Sequence, residues 1–197
     1  MKLDKIYSIF RKVPRISLFN KLNKDGEISK QYISNGIIAY LLDGLPEFSE
    51  HTLPSLIGFD RDKEVIVDED TAPDRFMQMM SEEDRESDIV LKAEDYEFFD
   101  CIVMRNFDDD DEQVLHFVDP VYIKPWLGDT DITFISRVTS DGMRCIIVKY
   151  GFFVQAAIIP KNLSRGGCID IAARVHQELI RQKKADDDKY EQVGEKE

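Results

Sequence analysis

Apolar positions along this chain recur mostly in short alternating runs separated by turn dipeptides, and only a few stretches keep helical spacing. Residues 3–13 are one such stretch. Leu3, Ile6, Ile9, Phe10 and Val13 share a face, basic residues lie mostly between them, and Pro14 ends the pattern. Three strand segments follow at 16–23, 27–33 and 37–42, separated by Asp25-Gly26 and Asn35-Gly36, dipeptides that accept the positive φ of hairpin turns. They predict a three-stranded antiparallel meander, closed by Asp43-Gly44 and Pro46.

The stretch 45–97 mixes periods. It offers a short apolar strand at 64–68 and a Met-rich helix at 75–80, whose first turn Asp74 favours through the helix dipole. From Phe98 the alternation sharpens again, with strands predicted at 98–105 and 113–118 on either side of the run Asp108 to Glu112. Asp119-Pro120 supplies a carboxylate N-cap followed by proline at the first helical position, so a short helix is expected over 120–127. A second meander follows at 131–138, 143–149 and 152–159. Gly166-Gly167 breaks the chain before a last amphipathic helix at 170–184, and 185–197 is a polar tail. The expected fold class is therefore α+β: two antiparallel meanders, each preceded by a helix, plus a C-terminal helix. The expected division is 1–97, 98–184 and a disordered tail at 185–197.

Charge adds a polarity to this pattern. Residues 1–30 hold eight Lys and Arg against three carboxylates, whereas 60–112 hold 21 carboxylates against six Lys and Arg, within a chain of net charge −13. The two regions are expected to face different partners. Such acidity argues against a surface that coats nucleic acid throughout, but it leaves room for a local basic face. Cys101, Cys145 and Cys168 are scattered thiols with no C-x-x-C pairing, which suits a reducing compartment. No apolar run is long enough to span a bilayer, so the chain is expected to be cytoplasmic, with no membrane partner.

The two halves share an order of elements, a helix and then a three-strand meander. With the strand at 113–118 and the helix at 120–127, the second half resembles the βαβββ unit of DNA sliding clamps, the processivity factors of replication. The run Val154-Gln155-Ala156-Ala157-Ile158-Ile159-Pro160 is similar to the final strand of such a unit. The first half resembles the same unit without its leading strand, a role open to 63–68 or 88–92. What the resemblance implies is a duplicated clamp-like fold in which the helix near 2–15 turns Lys5, Arg11, Lys12 and Arg15 toward the double-stranded DNA backbone. It also implies a homo-oligomeric ring, since one chain holds a single pair of units. The second helix offers only Lys124 to such a channel.

No motif specifies a reaction, so the chain is expected to act without catalysis, cofactor or metal. Asp108, Asp109, Asp110, Asp111 and Glu112 match no EF-hand spacing and read as an exposed connection. His51, His116 and His176 stand apart from one another and from any cysteine, and no serine lies in a G-x-S-x-G context. Ser164-Arg165-Gly166-Gly167 lacks the Lys-Ser/Thr ending of a phosphate loop and reads as a linker. Tyr122, Trp126, Phe152 and Phe153 read as core, and the apolar segment from Leu45 to Phe59 as a cover over the sheet, with peptide binding as its other use.

Three functional expectations follow. The first is a binding protein of DNA metabolism whose four basic residues hold phosphates without reading bases. The second is an acidic inhibitor or DNA mimic whose carboxylates in 60–112, with 108–112 as the partner surface, enter a basic protein's groove. An enzyme whose site is assembled from distant residues is a third. On the first expectation, charge reversal at Arg11 and Lys12 abolishes DNA association and flattens its salt dependence in a binding titration; unchanged binding removes it.

Overall fold

The computed structural model describes residues 3–10, 13–57, 66–98, 100–106, 115–126 and 128–161. The chain divides after Lys161 into two units, and the second, 162–197, lies outside the described residues, together with the helix expected at 170–184. In chain order the elements are α1 (Leu3–Phe10), β1 (Arg15–Leu22), β2 (Ile28–Ser34), β3 (Ile38–Leu41), α2 (Leu53–Ile57), β4 (Ile66–Thr71), α3 (Asp74–Met79), β5 (Ile89–Phe98), β6 (Cys101–Asn106), β7 (Leu115–Val118), α4 (Pro120–Ile123), β8 (Ile132–Val138), β9 (Arg144–Tyr150) and β10 (Phe153–Ile158).

These strands form one ten-stranded sheet in the order β4-β1-β2-β3-β10-β9-β8-β5-β6-β7. That overturns the expected fold class. The described residues form not a pair of helix-led α+β meanders in duplicated units but mostly a single mixed sheet with a few short helices. Four pairings make this architecture. β3 pairs antiparallel with β10 through Ala39↔Ala157, which fuses the two hairpin series into one sheet. β4 returns to lie parallel to β1, and β5 inserts between β8 and β6.

Local chemistry explains most element ends. Asn23 Oδ1 accepts from the amides of Asp25 and Glu27, both at 2.9 Å, and Gly26 takes φ +82°, so the first turn is a five-residue loop rather than a two-residue one. Asn35 Oδ1 likewise accepts from the amides of Ile37 and Ile38. Asp119 caps α4 by accepting from the Val121 amide at 3.0 Å, with Pro120 leading the helix.

Both faces of the sheet are covered. On one face α1, α2 and α4 close over Ile16, Leu18, Tyr40, Met104, Ile146 and Ile158, with Tyr40 between Phe10 and Trp126. Phe48 and Leu53 are buried there, so the described part of the 45–59 segment packs over the sheet; Gln31 holds it, donating to the Phe48 carbonyl and accepting from its amide. On the other face α3 sets Phe76 and Met79 against Tyr32, Leu41, Ile147 and Ala157. The segment β8-β5-β6-β7 curls strongly. His116 on β7 meets Ser136 on β8 at 2.8 Å although two strands stand between them, a span of roughly 14 Å in a flat sheet. Phe152 and Phe153 correct the expectation of core aromatics: at the β9–β10 hairpin they are 87% and 62% exposed, while Trp126 is buried.

A fully buried cation ties the second face together. The Arg137 guanidinium bonds both Asp88 carboxylate oxygens and the carbonyls of Met79, Ser81 and Glu83. Lys149 adds Asp84 and the Glu82 carbonyl, Lys30 meets Glu82 at 2.5 Å, and Arg85 donates to the carbonyls of Gln78 and Val138. Replacing Arg137 by Met leaves Asp88 buried without its counter-charge, so urea unfolding is expected to show a loss of about 3–5 kcal/mol. Arg137→Lys recovers only part of it, because an ammonium cannot serve the fork.

Candidate functional site

β4 has the sequence IVDEDT and forms an end of the sheet, where an unpaired strand edge is commonly guarded by charge. Its parallel register sets Asp68 beside Ser17 and Asp70 beside Phe19 on one face, and Val67 beside Ile16 and Glu69 beside Leu18 on the other. Asp68 pairs with Arg15. Glu69 accepts from Asn20 Nδ2 at 2.9 Å and from the Glu50 amide at 3.3 Å. Together Arg15, Glu50, Asp68, Glu69 and Asp70 line an open polar cleft of about 500 Å³, in which one arginine stands against four carboxylates.

A second cleft, of about 320 Å³, opens on the α3 face and shares Ser17 and Phe19 with the first. Register explains it. Across four neighbouring strands one row reads Ser17, Ser34, Ala39, Ala157, all small, whereas the next row reads Phe19, Tyr32, Leu41. Phe76 of α3 sits on the large row, with ring centroids 4.7 Å from Phe19 and 5.1 Å from Tyr32. The small row is left as the floor of a trough, walled by α3 and by the turn at Gly36 and Ile37. Arg75 stands at its rim, bonded to Asp141 at 3.1 Å and to Met143 Sδ at 2.6 Å.

Several expected site residues fall elsewhere. Arg11, Lys12 and the run Asp108, Asp109, Asp110, Asp111, Glu112 lie outside the described residues. Lys5 is in α1, and Arg15 at the start of β1 is exposed and turned to Asp68, which raises its pKa. The structure thus brings Arg15 to the acidic edge. Sequence reasoning included β4 only within the acidic region 60–112 and left the small row unmarked as a site; the signal for the row was Ser17, Ser34, Ala39 and Ala157, invisible until register aligned them.

Buried titratable groups elsewhere read as structure. Burial pushes the Cys145 thiol up to about 12, which leaves it protonated and inert at neutral pH. His116 is 4% exposed and pushed down to about 4, first by burial and then by the charge of Arg144. Among the described residues no group of three or more His, Cys, Asp or Glu is placed to hold a metal ion, and no helix is long and apolar enough to cross a membrane.

In comparison with known proteins, no family model matches this sequence, and no curated protein or solved structure matches the chain.

The lowered pKa of His116 carries a pH dependence. Unfolded, the imidazole binds a proton below about 6.5; folded, it does so only below about 4. Its share of stability is present above pH 6.5 and is lost as pH falls toward 4, a loss of roughly 3 kcal/mol. His116→Gln is expected to remove that share of the acid destabilisation when unfolding free energies at the two pH values are compared with those of the unsubstituted chain.

Proposed function

We propose that this chain is a binding protein that presents an acidic sheet edge to a basic segment of a protein partner. The observation that carries the reading is the distribution of unneutralised charge. Glu82 and Asp84, in the acidic loop before β5, are held by Lys30 and Lys149, and Asp88 is held by Arg137. Along β4, by contrast, Asp70, Glu69 and nearby Glu50 line a solvent-open cleft in which Arg15 is the one cation among the described lining residues. Fields of one sign in a cleft attract the opposite charge and speed association.

The alternative, a DNA-facing basic helix, rests on Lys5, Arg11, Lys12 and Arg15. Of these, Arg15 has a described side chain, and its guanidinium is already paired with the Asp68 carboxylate. The acidic reading therefore uses the geometry more fully, and it keeps 108–112 as a further stretch of the same charge.

The test is a titration of the full chain with a fluorescent lysine–arginine peptide at several salt concentrations. Asp68→Asn with Asp70→Asn is expected to weaken binding roughly fivefold or more at low salt and to flatten the salt dependence. An absence of binding, or identical affinity and slope in the double variant, overturns the proposal.

A further inference from the structure

The trough beside the acidic edge gives the partner a second property. Resting on the reading above, we infer that the basic segment carries a bulky apolar side chain that inserts into the cleft over Ser34, Ala39 and Ala157, while its cationic residues lie toward Asp68 and Asp70.

Three observations support this occupant. First, the two clefts adjoin, both being lined by Ser17 and Phe19, which puts them within reach of a single peptide. Second, the cross-strand row runs Asp68, Ser17, Ser34, Ala39, Ala157, which places the carboxylate at the edge and the small apolar floor further in. A chain entering from the edge meets charge first and apolar surface next. Third, a volume of about 320 Å³ lies at the small end of ligand cavities, a size that suits one large side chain better than a whole cofactor. The rim cation Arg75 does not oppose a basic peptide, because Asp141 already pairs with it. Phe76, Met79 and Met143 supply an aromatic and thioether wall, which adapts to a phenyl or branched aliphatic group.

Electrostatic attraction then sets how fast the partner arrives, and the buried anchor sets how long it stays. The two contributions separate experimentally because screening by salt acts on the first and not on the second.

The experiment compares two fluorescent heptapeptides of lysine and arginine, identical except for a central phenylalanine or alanine, titrated against the full chain. The phenylalanine peptide is expected to bind roughly tenfold tighter or better, with a ratio that holds from low to high salt. Ala157→Leu, which fills the trough floor, is expected to remove the difference between the peptides; thermal melting establishes that the variant is folded. Should that variant fail to fold, the comparison of the two peptides on the unsubstituted chain stands alone. Equal affinity of the two peptides overturns the anchor and leaves the acidic edge standing. No binding of either peptide overturns the edge reading itself, and the anchor with it.

Discussion

Arg137 is the residue around which the α3 side of the sheet is organised. A guanidinium with no solvent exposure requires a counter-charge and acceptors for its remaining donors, and no single neighbouring strand supplies them. They come instead from the connection between α3 and β5: three carbonyls at Met79, Ser81 and Glu83, and the Asp88 carboxylate just before β5. Meeting that requirement fixes the end of α3 over the sheet and delivers β5 to the edge of β8, where Ile89 pairs with Ser136. An uncompensated buried charge costs several kcal/mol, more than most alternative positions of this connection could recover.

That constraint reaches the trough. α3 is held at its C-terminal end through the Met79 carbonyl, and its Phe76 lands on the row of large side chains, Phe19 and Tyr32. Protein interiors tolerate few voids, so the packed row is where the helix gains contact and the small row beside it stays open. The same network also decides where charge remains. Among the described residues Glu82, Asp88 and Asp84 are paired with Lys30, Arg137 and Lys149, whereas Glu50, Asp68, Glu69 and Asp70 gather at the β4 edge around Arg15. Acidic side chains there also protect an exposed strand from indiscriminate pairing, a structural benefit compatible with a role in recognition.

The joined cores show how a single sheet holds elements that look like two series. Tyr40 on β3 contacts Phe10 of α1 and Trp126 near α4, so both helices reach the same central strand from opposite halves of the chain. Its neighbour β10 carries Ala156 and Ile158 into the same core. The junction between β3 and β10 is thus the middle of the buried layer, and a division of residues 1–160 into independent halves has no surface to separate along.

Much of the local structure was legible in the chain. The first hairpin positions followed from Asp25-Gly26 and Asn35-Gly36, the α4 start from Asp119-Pro120, and most strand spans from alternation, because these depend on dihedral preferences and hydrogen bonds among near neighbours. The order of strands was not legible. The β3–β10 and parallel β1–β4 pairings join residues far apart, and an apolar run reads the same whichever edge it meets. Charge was ambiguous for a related reason: Glu82-Glu83-Asp84 and Asp68-Glu69-Asp70 look alike in sequence, yet only the folded chain places Lys30 and Lys149 against the first. Sequence by itself determined the segments of the two meanders, most of their turns and the overall acidity, but not the long strand β5. Tertiary structure alone decided the single sheet, the burial of Arg137, the exposure of Phe152 and the small-residue floor beside an acidic edge, since each arises from register between strands that no local preference encodes.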